Sequence, residues 1–325
     1  MNEVLIYQFP DSKELVCARG TWLKCDHHQL PEDCFFLTSF DQSAVYYFEK
    51  TSNLHLSEVE EFIHFKSSTV PVLSKEDYLD VCHQFQADFD QFGVRKAVLS
   101  RIKQVERGEK TCTSILSDLI TLYSDRAFIY LVSSPHFGTW IGATPEILIS
   151  GNENKLKSMS LAGTKKSAEE SWTAKEHEEQ QMVTDFVKEQ ILQSTPTHFN
   201  EFPAETVYTG AVYHLCTRFE FSLKQSNWGE LINALHPTPA VCGLPRERAL
   251  KLIAQHETHN RNFYAGLIGK KSKEELAVFV NLRCMQVTKN DFLLYIGGGI
   301  TQQSIPENEW NETENKAKTL ARVLS

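Results

Sequence analysis

Alternating apolar and polar positions from residue 96 onward predict strands. KAVLSRIKQV (96–105), RAFIYLVSS (126–134), TWIGATPEILIS (139–150) and KLKSMSLAG (155–163) carry the pattern, and SGNEN (150–154) supplies a turn between the last two. Further on, AVFVNLRCMQV (277–287) and FLLYIGGGI (292–300) flank TKND, which reads as a hairpin. Residues 1–70 read as short strands and turns, as in SAVYYFEK. Helical spacing predicts helices over 75–92, 173–193, 228–235, 245–255 and 306–324. The first opens at Ser74 with Asp77 three residues later. The last opens on a Ser304–Glu307 capping box, with Pro306 in its first turn. Hairpins mixed with helices, without regular βαβ alternation, predict an α+β fold with large antiparallel sheets. No repeat and no Pro/Gly-rich joint interrupts the chain, so 1–325 reads as a single domain.

Composition narrows the partners. The chain has 325 residues, 33 Lys plus Arg and 42 Asp plus Glu, for a formal charge of 33 − 42 = −9. At 41% hydrophobic it has ample material for a core, which excludes intrinsic disorder. A net acidic chain is a poor binder of nucleic-acid backbones and of anionic membrane surfaces. No apolar run reaches the length of a membrane span. The start, MNEVLIYQFPDSKELV, lacks a basic leader segment, so no export signal is expected and a cytoplasmic location follows. The eight cysteines show no C-x-x-C pair and read as reduced thiols. Cys17, Cys25, His27, His28 and Cys34 are spaced too widely for a common zinc knuckle, so they read as core thiols beside an exposed His pair.

Two helices carry an E-x-x-E pair. Glu176 and Glu179 share a face with Val183 and Phe186, at offsets of 7 and 10 from Glu176. Glu309 and Glu312 share one with Lys316, Leu320 and Val323. Such a pair is usually a solvated face, but acids aligned with an inward stripe need a partner, and a hard cation such as Mg²⁺ suits oxygen donors. Single polar residues interrupt apolar strands at Lys96, Glu146, His214 and Arg283. Each alone is more often an edge residue than a catalyst. Burial would nonetheless favour a neutral, basic Lys and a protonated, acidic Glu, and an Arg between strands could grip a carboxylate. The glycine clusters LAGTKK (161–166) and IGGGI (296–300) match no phosphate loop, so no nucleotide site is expected.

Taken together, KAVLSR (96–101), GATPEIL (142–148), LAGT (161–164), KEHEEQQMV (175–183), HPTPAVCG (236–243), FYAGLIG (263–269), LRC (282–284), GGGI (297–300) and EWNETENK (309–316) resemble the chorismate-utilising enzymes, in the family's order. The resemblance covers roughly residues 90–325. The first 70 residues match poorly and are taken as a divergent part of the same domain. The resemblance implies two large antiparallel β-sheets stacked face to face, helices packed outside, and a cleft that takes chorismate and Mg²⁺. Lys96 matches the lysine that activates water in isochorismate and salicylate synthases. Ala162 stands where some aminodeoxychorismate synthases place a nucleophilic lysine, and an alanine cannot form that bond. HPTPAVCG resembles the isochorismate synthases, whose implied reaction adds water at C2 and loses the C4 hydroxyl. The alternative is a salicylate synthase, which goes on to eliminate pyruvate.

By the same resemblance, Lys96 is the general base and Glu146 the general acid. Glu179 and Glu312 hold Mg²⁺ with Glu176 and Glu309 close by, Glu178 remaining an alternative to Glu179. Arg283 and Tyr264 hold the side-chain carboxylate, helped by backbone near Gly298. Gly163, Thr164, His214, Ala240 and Lys316 line the pocket. The implied partner is a small molecule, chorismate or isochorismate, with no glutaminase subunit, and the chain is a monomer or homodimer.

Overall fold

A computed structural model describes residues 3–26, 29–66 and 70–324. Four strands open the chain, β1 (Glu3–Gln8), β2 (Val16–Cys25), β3 (Cys34–Thr38) and β4 (Val45–Asn53). Then come β5 (Lys96–Glu106), β6 (Phe128–Ser134), β7 (Gly138–Thr144), β8 (Ile147–Asn152) and β9 (Lys155–Lys165). β10 (His198–Glu201), β11 (Glu205–Tyr208), β12 (Tyr213–Ser222) and the short β13 (Gly243–Leu244) follow. The last four are β14 (Leu267–Lys271), β15 (Leu276–Val280), β16 (Cys284–Val287) and β17 (Asp291–Thr301).

Among the described residues these 17 strands join in one antiparallel ladder. One half runs β13-β5-β17-β16-β7-β6-β1-β2. The other runs β4-β3-β14-β15-β8-β9-β12, with β10 and β11 both beside β12. The halves lie face to face: Phe128 of β6 stacks on Phe279 of β15 at 4.6 Å, and Tyr7 of β1 on Phe35 of β3 at 4.8 Å. The stacked antiparallel α+β architecture expected from sequence is present. The two expected sheets, however, are halves of one ladder, because β2 pairs with β4 from Ala18 to Cys25 and so joins them.

Helices cover the outer faces. α1 (Lys75–Ala87) and α2 (Phe89–Phe92) replace the single helix expected over 75–92. Asp88 interrupts them, and Gly93 closes the second at φ +60°, a conformation glycine adopts without penalty. The expected start at Ser74 is present as a reciprocal capping box with Asp77, a device worth about 1 kcal/mol. α3 (Cys112–Tyr123) was not anticipated; Ser and Thr dilute its stripe, yet Ile115, Leu116 and Leu119 are buried against β6 and β7. α4 (Ala174–Gln193) packs on β9 and β12, and α5 (Trp228–Leu235) and α6 (Arg246–His256) follow. α7 (Pro306–Ala321) packs on β17. It starts at Pro306 as expected, but the Ser304 hydroxyl accepts from the Thr301 N–H rather than capping α7 with Glu307.

Two expected strands are each broken in two, and the breaks matter. TWIGATPEILIS divides at Pro145, which has no N–H to give a ladder. AVFVNLRCMQV divides at 281–283, where Arg283 sits at φ +47°. β7 and β16 belong to one half, β8 and β15 to the other. The chain therefore crosses between halves at both breaks, and the Val280 N–H donates to the Glu146 carbonyl at 3.0 Å to tie the crossings together. No helix among the described residues is long and apolar enough to cross a membrane. All eight cysteines are free, as expected. His27 and His28 lie outside the described residues.

Candidate active site

Both crossings open into one cleft. Its wall includes Glu146, Gly163, Thr164, Glu179, His214, Ala240, Tyr264, Arg283 and Lys316. These come from eight separate stretches of sequence, brought together where β5 begins and β9 and β17 end, beside α4 and α7.

Lys96 opens β5 and is 1% exposed. Its Nζ lies 2.8 Å from Glu179 Oε1. Glu179 therefore faces the cleft, whereas Glu178 is exposed. Glu146 is buried at the first crossing. Burial pushes its carboxyl up to about 7, while Lys96, Arg283 and Lys316 pull the other way. A carboxyl held there carries a proton near neutrality and can give it away.

His214 donates from Nδ1 to the Gly163 carbonyl at 2.6 Å, which leaves Nε2 facing the Arg283 guanidinium at 3.4 Å. Burial, then Arg283 and Lys316, push the imidazole down to about 3, so it is neutral and its Nε2 is an acceptor. Arg283 Nε is shielded from solvent with no hydrogen-bond partner among the described residues. A guanidinium with an unused buried donor is suited to an anion. Tyr264 is buried beside it, and burial raises its phenol well above the usual range.

The expectation near Gly298 concerned its backbone, and the residue itself is not in the cleft lining. Its missing side chain points toward Glu309 and Thr313. Neighbours in a strand alternate faces, so Gly297 and Gly299 line the cleft instead. A Cβ at 297 would stand 2.6 Å from the Tyr264 hydroxyl, and one at 299 would stand 2.8 Å from Glu179 Oε1 and 3.0 Å from Lys96 Cε. The register pairs Gly297 with Ser100 and Gly299 with Val98, so period-2 parity with Lys96 was the signal that could have found them.

The four acids do not form one cage. Glu176, Glu309 and Glu312 line a hollow beside the cleft, together with Lys175 and Thr164. Glu176 bends back to accept from the Thr173 N–H and hydroxyl, so in this structure it caps α4. Glu309 is 2% exposed and pairs with Lys175 at 2.9 Å; Glu312 pairs with Lys316 at 2.6 Å. Among the described residues no three His, Cys, Asp or Glu groups converge as ligands. The donor chemistry nonetheless fits a hard divalent cation. Burial, and then Glu312, push the Glu309 carboxyl above its usual range despite Lys175. Burial also opposes ionisation of Glu312, but Lys316, with Lys175 and Thr164, outweighs it and holds that carboxyl below the usual range. A divalent cation would relieve the repulsion between the two. Lys175 was missed as a contributor; its spacing on α4 matches any solvated lysine.

The family model described as chorismate binding enzyme matches residues 37–325. Isochorismate synthase EntC of Escherichia coli (strain K12) is 28% identical over 245 residues, 71% of this chain and 62% of that protein. The alignment thus spans less than two thirds of that relative's length. Isochorismate synthase MenF of Escherichia coli, a solved structure, superposes with a TM-score of 0.80 at 21% identity, covering 99% of this chain and 89% of that one. Anthranilate synthase component I from Streptococcus pneumoniae superposes with a TM-score of 0.72 at 17% identity, covering 99% and 92%.

Proposed function

Because the chain belongs to the chorismate binding enzyme family, we propose that it is an isochorismate synthase, an isomerase that interconverts chorismate and isochorismate. The observation that carries this reading is a buried, protonatable Glu146 in the cleft beside Arg283, with a buried Lys96 held against the cleft residue Glu179. The relatives named as isochorismate synthases support it. Chorismate is a dianion. Arg283, with its free Nε, and Tyr264 take the carboxylate of the side chain, and the neutral His214 holds Arg283 in place through Nε2. Lys96 takes a proton from water at its Nζ as the oxygen adds to C2. Glu146 gives its proton to the C4 hydroxyl as that group leaves as water. The two act from opposite faces of the ring, so each needs its own protonation state.

Mg²⁺ is the proposed metal, which Glu179 and Glu312 would hold with Glu176 and Glu309 close by. When bound it offsets the carboxylates, fixes the ring carboxylate and draws electron density from the ring. Lys96, Lys175 and Lys316 pair with Glu179, Glu309 and Glu312 in this structure. The reading places the enzyme in the cytoplasm, with no glutaminase subunit and no nucleic-acid partner. Incubation with chorismate, Mg²⁺ and an ammonium salt, followed by chromatography, tests it. Isochorismate as the main product supports the reading. Anthranilate or aminodeoxychorismate would overturn it, and salicylate with pyruvate would move the chain to the salicylate synthases.

A further inference from the structure

β13 covers β5 for only two residues, pairing Gly243 with Ala97 and Leu244 with Lys96. One more rung follows, from the Val98 N–H to the Cys242 carbonyl at 2.8 Å. Beyond it the neighbouring chain departs, and the Val98 carbonyl and Ser100 N–H are left on an edge inside the protein. Buried backbone groups need partners. Here they find side chains. Arg261 Nη2 donates to the Val98 carbonyl at 2.7 Å, and the Ser100 N–H donates to Glu257 Oε1 at 2.6 Å.

Glu257 and Arg261 are themselves paired, Nη2 to Oε1 at 2.6 Å and Nε to Oε2 at 2.8 Å, and each side chain is 3% exposed. Arg261 also donates from Nη1 to the Val241 carbonyl at 2.7 Å. Its guanidinium lies over the Phe40 ring at 4.4 Å. The ion pair thus replaces a missing strand segment. It holds Val98 on β5 to Val241 on the segment after Thr238, and both valines line the cleft. Lys96 lies two residues before Val98 on the same face.

We propose that Glu257 and Arg261 are positioning residues for the reaction, a two-rung surrogate strand that sets the cleft wall and the placement of Lys96 against substrate. The proposal rests on the reading of this cleft as the chorismate site. Neither residue touches the reacting atoms. A fork-shaped guanidinium is required because one group must reach two carbonyls on different segments and a carboxylate. A lysine can hold the carboxylate and lose the bridge.

The test compares the wild-type protein, Arg261→Lys and the double variant Glu257→Met/Arg261→Met. The double variant removes both charges together, because a buried pair exchanged for apolar side chains commonly leaves a folded protein, whereas stranding one charge does not. Amide hydrogen exchange at Ser100 and steady-state kinetics with chorismate and Mg²⁺ are measured on each. The expected result for the double variant is Ser100 exchange at least about 10-fold faster. In both variants kcat should fall at least about 10-fold per folded molecule, with KM changed less than about 3-fold. If the double variant fails to fold, Arg261→Lys carries the kinetic test alone. Ser100 exchange at the wild-type rate in a folded double variant overturns the surrogate strand. A lower melting temperature with kcat per folded molecule within about 2-fold of wild type means a purely structural pair and overturns the positioning role. A wild-type protein that leaves chorismate unchanged sinks the reading of the site instead, and the exchange measurement then decides the surrogate strand by itself.

Discussion

Lys96 Nζ and Glu179 Oε1 stand 2.8 Å apart, and the backbone of Gly299 passes beside both. A methyl group at 299 would reach 2.8 Å from the Glu179 oxygen and 3.0 Å from Lys96 Cε. Both are ends of flexible side chains, so the fold can absorb the change while the site cannot. Gly299→Ala is therefore expected to keep its melting temperature within a few degrees and lose at least about 10-fold in kcat. A Gly299→Ala protein with wild-type kcat would mean that the Lys96–Glu179 arrangement has no role in turnover.

Lys96→Gln cannot accept a proton, and Glu146→Gln cannot give one. General acid or base loss commonly costs about 10²–10⁴ in rate, and it should fall on kcat more than on KM because Arg283 and Tyr264 remain. Kinetics of each single variant and of the double check this. The double should be only slightly worse than the worse single, since both serve one event. Near-wild-type rates would reduce both residues to strand-end packing.

Glu146 also predicts a pH dependence. Its folded pKa is raised to about 7 from 4.5, so the folded state keeps a proton that the unfolded state has lost. That contribution to stability is full below about pH 4.5 and is lost as pH rises through 7, a change on the order of 3 kcal/mol. Denaturant unfolding of wild type against Glu146→Gln from pH 4 to 8 should show the gap moving in that direction. Activity should fall on the same limb, as the acid deprotonates. A stability difference that is flat with pH would show that Glu146 titrates in its usual range.

His214 is expected to stay neutral, with the proton on Nδ1, because burial and two neighbouring cations hold its pKa near 3. Nitrogen NMR of labelled protein should show one unchanged Nδ1–H tautomer from pH 5 to 8. A titration within that range would contradict the assignment of Nε2 as the acceptor for Arg283.

Glu312→Gln removes a charged oxygen donor from the hollow at the start of α7. Calorimetry should show weaker Mg²⁺ binding with the fold retained, and turnover should collapse. Chelation of the wild-type protein should abolish activity, and added Mg²⁺ should restore it. Undiminished Mg²⁺ affinity in Glu312→Gln would remove this residue from the metal set.

Most of the architecture could be read from sequence; Lys96, Glu146, His214 and Arg283 stood out as polar interruptions of apolar strands, and Glu179 through an E-x-x-E pair that shares a face with apolar residues. The strand breaks at Pro145 and 281–283 were hidden because both halves of each segment stay apolar across the crossing. Gly297 and Gly299 were not singled out because a run of three glycines carries no parity signal until β17 is registered against β5. Glu176 was grouped with the other acids because its capping partner Thr173 lies just outside the E-x-x-E pattern. Glu257 and Arg261 left no mark, since an i, i+4 ion pair on a polar stretch reads as solvated surface. Only the tertiary fold buries it against the edge of β5.

The most direct test of the account is one reaction in ¹⁸O-labelled water. Wild-type protein with chorismate and Mg²⁺ should form isochorismate carrying one solvent oxygen at its C2 hydroxyl, and Lys96→Gln should form at least about 10²-fold less. Isochorismate without solvent oxygen, or unchanged chorismate, would contradict the assignment of Lys96 and Glu146 as the base and acid of water addition.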